Sequence, residues 1–253
     1  MNAPTAVCGE DSSAYALDTA TFDGSGSIDP YGRPLAYTWI LSRPDGSTAS
    51  LDDITSATPA AMLDLVGTYE AQLTVTTVDG GTDSCTQTYT ATPFENFRIE
   101  MWWDSADDMD LHLLEANDGS GNQGTPRTQG DCYYGNCNTS SYWVNVPDWG
   151  VPSVATDDPG LDLDDIWGTG PENINIEQPA QNPYTGWYQI FVHDYPWTAR
   201  NYDPNGVHLN IYLNGSIVRT YDFMIAGENA DYYVAKIHWP SGTIVDCNGL
   251  GGC

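Results

Sequence analysis

Positive charge is scarce in this chain. Of 253 residues only seven are Lys or Arg, with Lys236 the single lysine, against 35 Asp and Glu, for a formal charge of -28. Nucleic acid and anionic membrane surfaces repel such a chain, whereas cations are drawn to it. Long apolar runs are missing too. No stretch approaches the ~20 residues of a spanning helix, so membrane insertion is not expected. Helical periodicity is nearly absent. No GxSxG, HExxH, phosphate-cradling glycine loop or Cys/His nucleophile pattern occurs, which argues against catalysis. No two cysteines have CxxC spacing and no His cluster accompanies them, which argues against a zinc or thioredoxin-like site.

The six cysteines form an even set, and disulfides are their expected use. Pairing by order along the chain gives Cys8 with Cys85, Cys132 with Cys137 and Cys247 with Cys253, although spacing alone leaves other connectivities open. Disulfides imply an oxidising, extracytoplasmic compartment. A competing use of Cys8, as a lipid-modified residue after "TAV", lacks an apolar leader segment to support it. The chain reads as a mature or trimmed piece of an exported protein.

Stretches rich in β-branched and aromatic residues alternate with turn chemistry throughout. "LAYTWIL" (35–41), "TYEAQLTVTTV" (68–78) and "CTQTYTATP" (85–93) are separated by "DGSGSIDPYGRP" and "VDGG". The same pattern returns in "FRIEMWW", "GWYQIFVHDY", "VHLNIYLNG", "SIVRTYDFMIAG" and "YYVAKIHWPSG". The fold class expected is all-β, with two antiparallel β-sandwich domains. A boundary fits at Pro93, giving domains 1–93 and 94–253. Residues 115–157, rich in Gly, Asn and Pro, read as a long loop insertion held by a Cys132–Cys137 ring.

"DGSGSIDPYGRPLAYTW", followed by "GTYEAQLTVTTVDGG", resembles the polycystic kidney disease (PKD) repeat over roughly residues 8–92. That resemblance implies an immunoglobulin-like sandwich of the kind used as a spacer or adhesion module in exported bacterial proteins. Trp39 is followed by "ILSRPDGS" and not by the aromatic-Gly-Asp-Gly turn of the commonest members. Trp39, Tyr37 and Tyr69 are expected in the core, and Asp23 and Asp29 as turn caps.

The candidate site lies in the second block. In "DDMDLHLLE" (107–115) alternation places Met109, Leu111 and Leu113 on one side of a strand and Asp108, Asp110 and His112 on the other. In "DDPGLDLDDIWGTGPENI" (157–174) Leu161 and Leu163 alternate with Asp162 and Asp164. The windows 104–110 and 157–165 hold nine Asp in sixteen residues, where the chain average gives about two acidic residues. Like charges about 4 Å apart repel by about 4 kcal/mol near a protein surface, so neighbouring acidic strands need a counter-ion. Calcium, which takes six to eight oxygens, is the cofactor expected. Asp108, Asp110, Asp162, Asp164 and Asp165 are the predicted ligands, with Asp104, Asp107, Asp157, Asp158 and Glu172 as further candidates and His112 behind them or in packing. The alternative is that both acidic faces point to solvent on separate strands.

The same residues, with "YTGWYQIFVHDY" and "VHLNIYLNGSIVRTYDF", are similar to the YfaP-like family of exported bacterial proteins over about residues 97–245. The resemblance implies an accessory β-sandwich of surface proteins. It assigns Asp108, Asp110, Asp162, Asp164 and Asp165 to a shared acidic motif, with Glu172 and Asn173 nearby. Residues 115–157 depart from its simpler pattern.

Eight of nine tryptophans fall in this block. Trp143, Trp149, Trp167 and Trp197, in expected loops, are candidates for stacking on a ligand, with packing as the alternative; Trp103, Trp187, Tyr188, Tyr212 and Trp239 are expected in the core or an interface. His193 and His208 have no catalytic partner in sequence. "NTS" at 138 and "NGS" at 214 fit the glycan-acceptor pattern, which is usually idle in bacteria. The reading is a non-catalytic, calcium-binding adhesion or recognition module of the bacterial cell surface, with a glycan or protein ligand and no nucleic-acid partner. A structural subunit of a surface assembly or filament, which would self-associate, is the alternative, and a glycan-active hydrolase using Asp110, Asp164 or Glu172 ranks third.

Overall fold

The computed structural model describes residues 3–115, 125–138, 146–179, 186–196 and 204–249. All regular structure among them is β. The chain divides into two compact units, Met1–Pro93 and Phe94–Cys253.

The first unit holds β1 (Ser12–Tyr15), β2 (Thr19–Thr21), β3 (Ala36–Ser42), β4 (Ala60–Met62), β5 (Gly67–Thr76) and β6 (Thr82–Thr92). One sheet has the order β1-β6-β5-β3, and β2 pairs with β4 in a second. β5 shows why this sequence is a half-buried strand. Tyr69, Ala71, Leu73 and Val75 are fully buried on one face, and Thr68, Glu70 and Gln72 are exposed on the other. Trp39 of β3 packs with Phe22 in the same core, and its indole N–H donates to the Ser56 carbonyl. The Tyr69 hydroxyl oxygen accepts the Leu65 N–H at 2.8 Å, pinning the strand entry. Asp23 accepts the Ser25 N–H, and Asp29 accepts the Arg33 N–H while pairing with its guanidinium, so both carboxylates cap turns. Cys8 is bonded to Cys85.

The second unit contains β7 (Phe97–Trp103), β8 (Met109–Leu114), β9 (Asp131–Cys132), β10 (Gly160–Leu163), β11 (Glu172–Ile176), β12 (Trp187–Asp194), β13 (Asn205–Leu213), β14 (Ser216–Ile225), β15 (Asp231–His238) and β16 (Thr243–Gly249). Two five-stranded sheets run β10-β11-β7-β13-β14 and β16-β15-β12-β8-β9. Alternate residues of both meet in one core. β7 gives Phe97, Ile99 and Met101; β8 gives Met109, Leu111 and Leu113; β13 gives Val207, Leu209 and Ile211. Burying each such side chain contributes roughly 1.5–3 kcal/mol, which fixes the register because a slip of one residue would turn the whole set outward.

The described parts of the 115–157 insertion are not a free surface loop. β9 pairs with the end of β8, the Cys132–Cys137 bond closes the turn after it, and Trp149 is 2 % exposed in the sandwich core. Trp149 therefore cannot stack on a ligand. Its indole N–H donates to the Gln129 carbonyl, tying the turn before β9 to the later part of the insertion. Trp143, Trp197 and Cys253, the expected partner of Cys247, lie outside the described residues.

The Cys8–Cys85 bond spans 77 residues. The loop-entropy relation gives about 4.5 kcal/mol for a crosslink of that length. Cys8→Ser/Cys85→Ser should therefore strip hydrogen-exchange protection from peptides of β5 and β6 and leave those of β7 and β13 unchanged. Equal loss in both units would show that the bond does not act on the first unit alone.

Candidate metal centre

β8 carries two different faces into the site. Met109, Leu111 and Leu113 enter the core, while Asp110 and His112 stand on the opposite face, in register with His193 and Phe191 of β12. On the other flank β9 covers β8 only at Leu113 and Leu114. The Leu111 N–H is left without a ladder partner there, and the Glu172 Oε2 of the opposing sheet accepts it at 2.8 Å. Glu172 arrives there through its own strand. It lies opposite Met101, and alternation places it on the same face as Ile174 and Ile176, at the rim of the core. Gly170 permits this approach. Its φ is +86°, and a Cβ there would lie 3.0 Å from the Trp102 Cα.

Asp164 follows β10. The Asp110, Asp164 and Glu172 side chains can each present an oxygen within 4.8 Å of the others. Asp110 is 3 % exposed and Glu172 1 %. Asp110 Oδ2 and Glu172 Oε1 are buried without a hydrogen-bond partner among the described residues. Buried carboxylate oxygens are rarely left so. Burial first, and then the Asp108 and Asp164 charges, pushes Asp110 well above the usual carboxylate range, with Arg127 offsetting part of this. Burial and the Asp110 and Asp164 charges do the same to Glu172. Asp108 is pushed up to about 7 by burial and by Asp164, Asp107 and Asp165. Asp164 is raised by burial and by the Asp165 charge, while the Asn138 amide that donates to it and its contact with the Glu172 carboxyl offset part of this. All donors are hard oxygens, no histidine nitrogen or thiolate joins them, and two of the oxygens are unsatisfied, so the set fits a hard divalent cation.

A cavity of about 190 Å³ opens beside this cluster. Asp108, Asp110 and Asp164 line one side, and Tyr134, Tyr195, Ile166 and Trp167 the other. Tyr134 and Tyr195 meet edge to face, and Trp167 is 55 % exposed.

The remaining predicted site residues are placed elsewhere. Asp162 is the extra residue of a bulge, since Leu161 faces Ile174 and Leu163 faces Asn173 with nothing opposite Asp162. The bulge breaks the two-residue period, so Asp162 and Asp164 part company, and Asp162 instead accepts a hydrogen bond from Asn175. Asp165 accepts the N–H groups of Trp167, Gly168 and Gly170, which shapes the loop that carries Trp167. Asp157 accepts the Val151 N–H and Asp158 that of Trp149, so both hold the insertion's final turn. Asp104 is exposed and bonds His208, while Asp107 caps the Asp108 N–H. His112 is fully buried, stacked between Phe191 and Tyr133, with Nδ1 2.8 Å from Asp131 Oδ2. Asp131 was not singled out in the sequence. It lies nineteen residues from His112, on the two-residue strand β9, which is too short to show a period.

The PKD domain family model matches residues 1–93. No curated protein matches the chain. Among solved structures, the PKD domain from KIAA 1837 protein is 27% identical, over 34% of this chain and 83% of that one, with a TM-score of 0.30. A nucleoside hydrolase-related hypothetical protein from Saccharophagus degradans, associated with carbohydrate metabolism, is 20% identical with a TM-score of 0.32. The match covers 36% of this chain, which spans only 26% of that one. A quinonprotein alcohol dehydrogenase-like protein from Bacteroides thetaiotaomicron is 9% identical over 97% of this chain and 49% of that one, with a TM-score of 0.31.

Raised carboxyl pKa values mean that, without a cation, the folded chain binds more protons than the unfolded chain above about pH 4. The contribution of this cluster to stability is full below that pH and is lost as pH rises through about 7. Denaturation of the second unit in chelator, compared between wild type and Asp108→Asn, should show wild type falling further over that window. Parallel curves would remove the cluster from the account.

Proposed function

We propose that this protein is a non-catalytic, calcium-binding recognition or adhesion module of the extracellular surface, in which the PKD-like unit serves as spacer and the second sandwich carries the cation. The observation that carries this reading is the pair of buried oxygens on Asp110 and Glu172, beside Asp164, that have no hydrogen-bond partner among the described residues. A single calcium ion there would turn mutual repulsion into coordination. The remaining positions of a six- to eight-oxygen shell would be filled by Asp108, carbonyls, water or ligand. The PKD match supports an adhesion or spacer role for residues 1–93, and the Cys8–Cys85 and Cys132–Cys137 bonds support an oxidising compartment. The sequence motifs that liken residues 97–245 to YfaP-like exported domains would agree with this reading, although the family model that matches covers residues 1–93 alone. No helix among the described residues is long and apolar enough to cross a membrane.

A hydrolase is the weaker reading. Retaining glycosidases hold their two carboxyls about 5–5.5 Å apart around a substrate, whereas here three carboxylates converge within 4.8 Å, two of them almost wholly buried. The structural-subunit reading rests on a separate feature. β14 ends its sheet among the described strands and exposes Ile217, Val218 and Met224. Sedimentation of the wild type separates these readings, since a monomer at high concentration leaves the recognition role.

Thermal unfolding in calcium, magnesium and chelator tests the ion. Calcium at a hundredfold excess over Kd should stabilise the second unit by about 2.7 kcal/mol. Asp110→Asn, Asp164→Asn and Glu172→Gln should abolish the rise, and Asp162→Asn should keep it. In chelator, Glu172→Gln should be more stable than wild type, because it removes a buried charge and can still accept the Leu111 N–H. A wild type indifferent to calcium would end this reading.

A further inference from the structure

We infer that the cavity beside the cation takes a neutral sugar, two of whose adjacent hydroxyls complete the ion's coordination while its ring lies against Trp167. The inference rests on the cation reading above and adds the class of ligand.

Asp110 and Asp164 belong both to the three-carboxylate cluster and to the cavity lining, whereas Glu172 belongs only to the cluster. An ion held by all three is therefore backed by Glu172 and presents its other side to the cavity. Three carboxylates giving one oxygen each leave half or more of a calcium shell to other donors. Some of those donors must come from the cavity side, where Asp108 is the one further carboxylate in the lining.

Charge selects among ligands that bring oxygens. Ionised around a divalent ion, Asp108, Asp110, Asp164 and Glu172 would bring four negative charges against two positive ones, of which Arg127 offsets a part. A ligand carboxylate, from an acidic peptide or an acidic sugar, would meet that residual field at close range in a poorly solvated site. Neutral vicinal hydroxyls bring two oxygens without that cost. The far wall suits the rest of a sugar. Tyr134, Tyr195 and Trp167 offer aromatic surface, and Trp167 is more than half exposed on a loop whose turn is fixed by three hydrogen bonds to Asp165. Aromatic side chains that present a face on a rigid support bury apolar ring surface at little entropic cost. A volume of about 190 Å³ is below the range of drug-sized pockets, which suits a single ring at the end of a chain.

The test is calorimetric titration of the full chain with methyl glycosides of mannose, galactose, glucose and fucose, in calcium and in chelator. Calcium binding is followed separately by thermal unfolding. At least one glycoside should bind in calcium only. Its analogue O-methylated at one hydroxyl of the coordinating pair should not bind. Trp167→Ala should weaken that glycoside by about tenfold, equivalent to ~1.4 kcal/mol, and keep the calcium response. Asp164→Asn should lose both. A wild type that responds to calcium and binds none of the glycosides, or binds them equally in chelator, overturns the sugar assignment and leaves the cation reading standing. A wild type without a calcium response overturns both.

Discussion

Four carboxylates at the rim of a β-sandwich core, with no Lys or Arg among the described residues bonded to any of them, set the terms for the rest of the second unit. Water would solvate them at the surface, but Asp110 and Glu172 are almost completely removed from it. The backbone supplies one donor, the Leu111 N–H, and that donor is free only because β9 stops two residues short of it. The short β9 and the Cys132–Cys137 turn behind it are thus tied to the acid cluster. An edge strand left open at one amide is where the opposing sheet can reach in with a carboxylate.

Around that constraint the neighbouring polar groups divide the work. Asp165, Asp157 and Asp158 spend their oxygens on backbone N–H groups and hold loops. His112, one step along β8 from the cluster, is occupied by Asp131 and packed between two rings, so it presents no side chain to the cavity. What faces the cavity is acid on one wall and aromatic surface on the other. The proposed recognition role draws on that pairing, with the acids as the oxygen donors and the rings as the surface on which a ligand would rest.

The fold was legible where alternation is strict. β5, β8 and β13 have one apolar face each, and the core takes those faces. The same rule held a signal that was not used: "ENINI" puts Glu172 on the apolar face of its own strand, marking it as an acid bound for the interior. Alternation failed at Asp162, because a bulge adds a residue without changing the composition that the rule reads. It also had no purchase on Trp149, set in a Pro- and Gly-rich stretch that looks exposed yet fills the core through long-range packing.

Composition and spacing by themselves determined an all-β chain, two units and the acidic clusters, because each of these depends on residue type and local period; the Cys8–Cys85 and Cys132–Cys137 bonds follow the order along the chain, which spacing alone left open. Which carboxylates converge was decided only by tertiary structure. Asp110 comes from one sheet, Glu172 from the other and Asp164 from the end of an edge strand, across separations of 54 and 8 residues in sequence. Their meeting depends on how two twisted sheets stack and where a bulge and a short strand fall, and on no period a single strand can show.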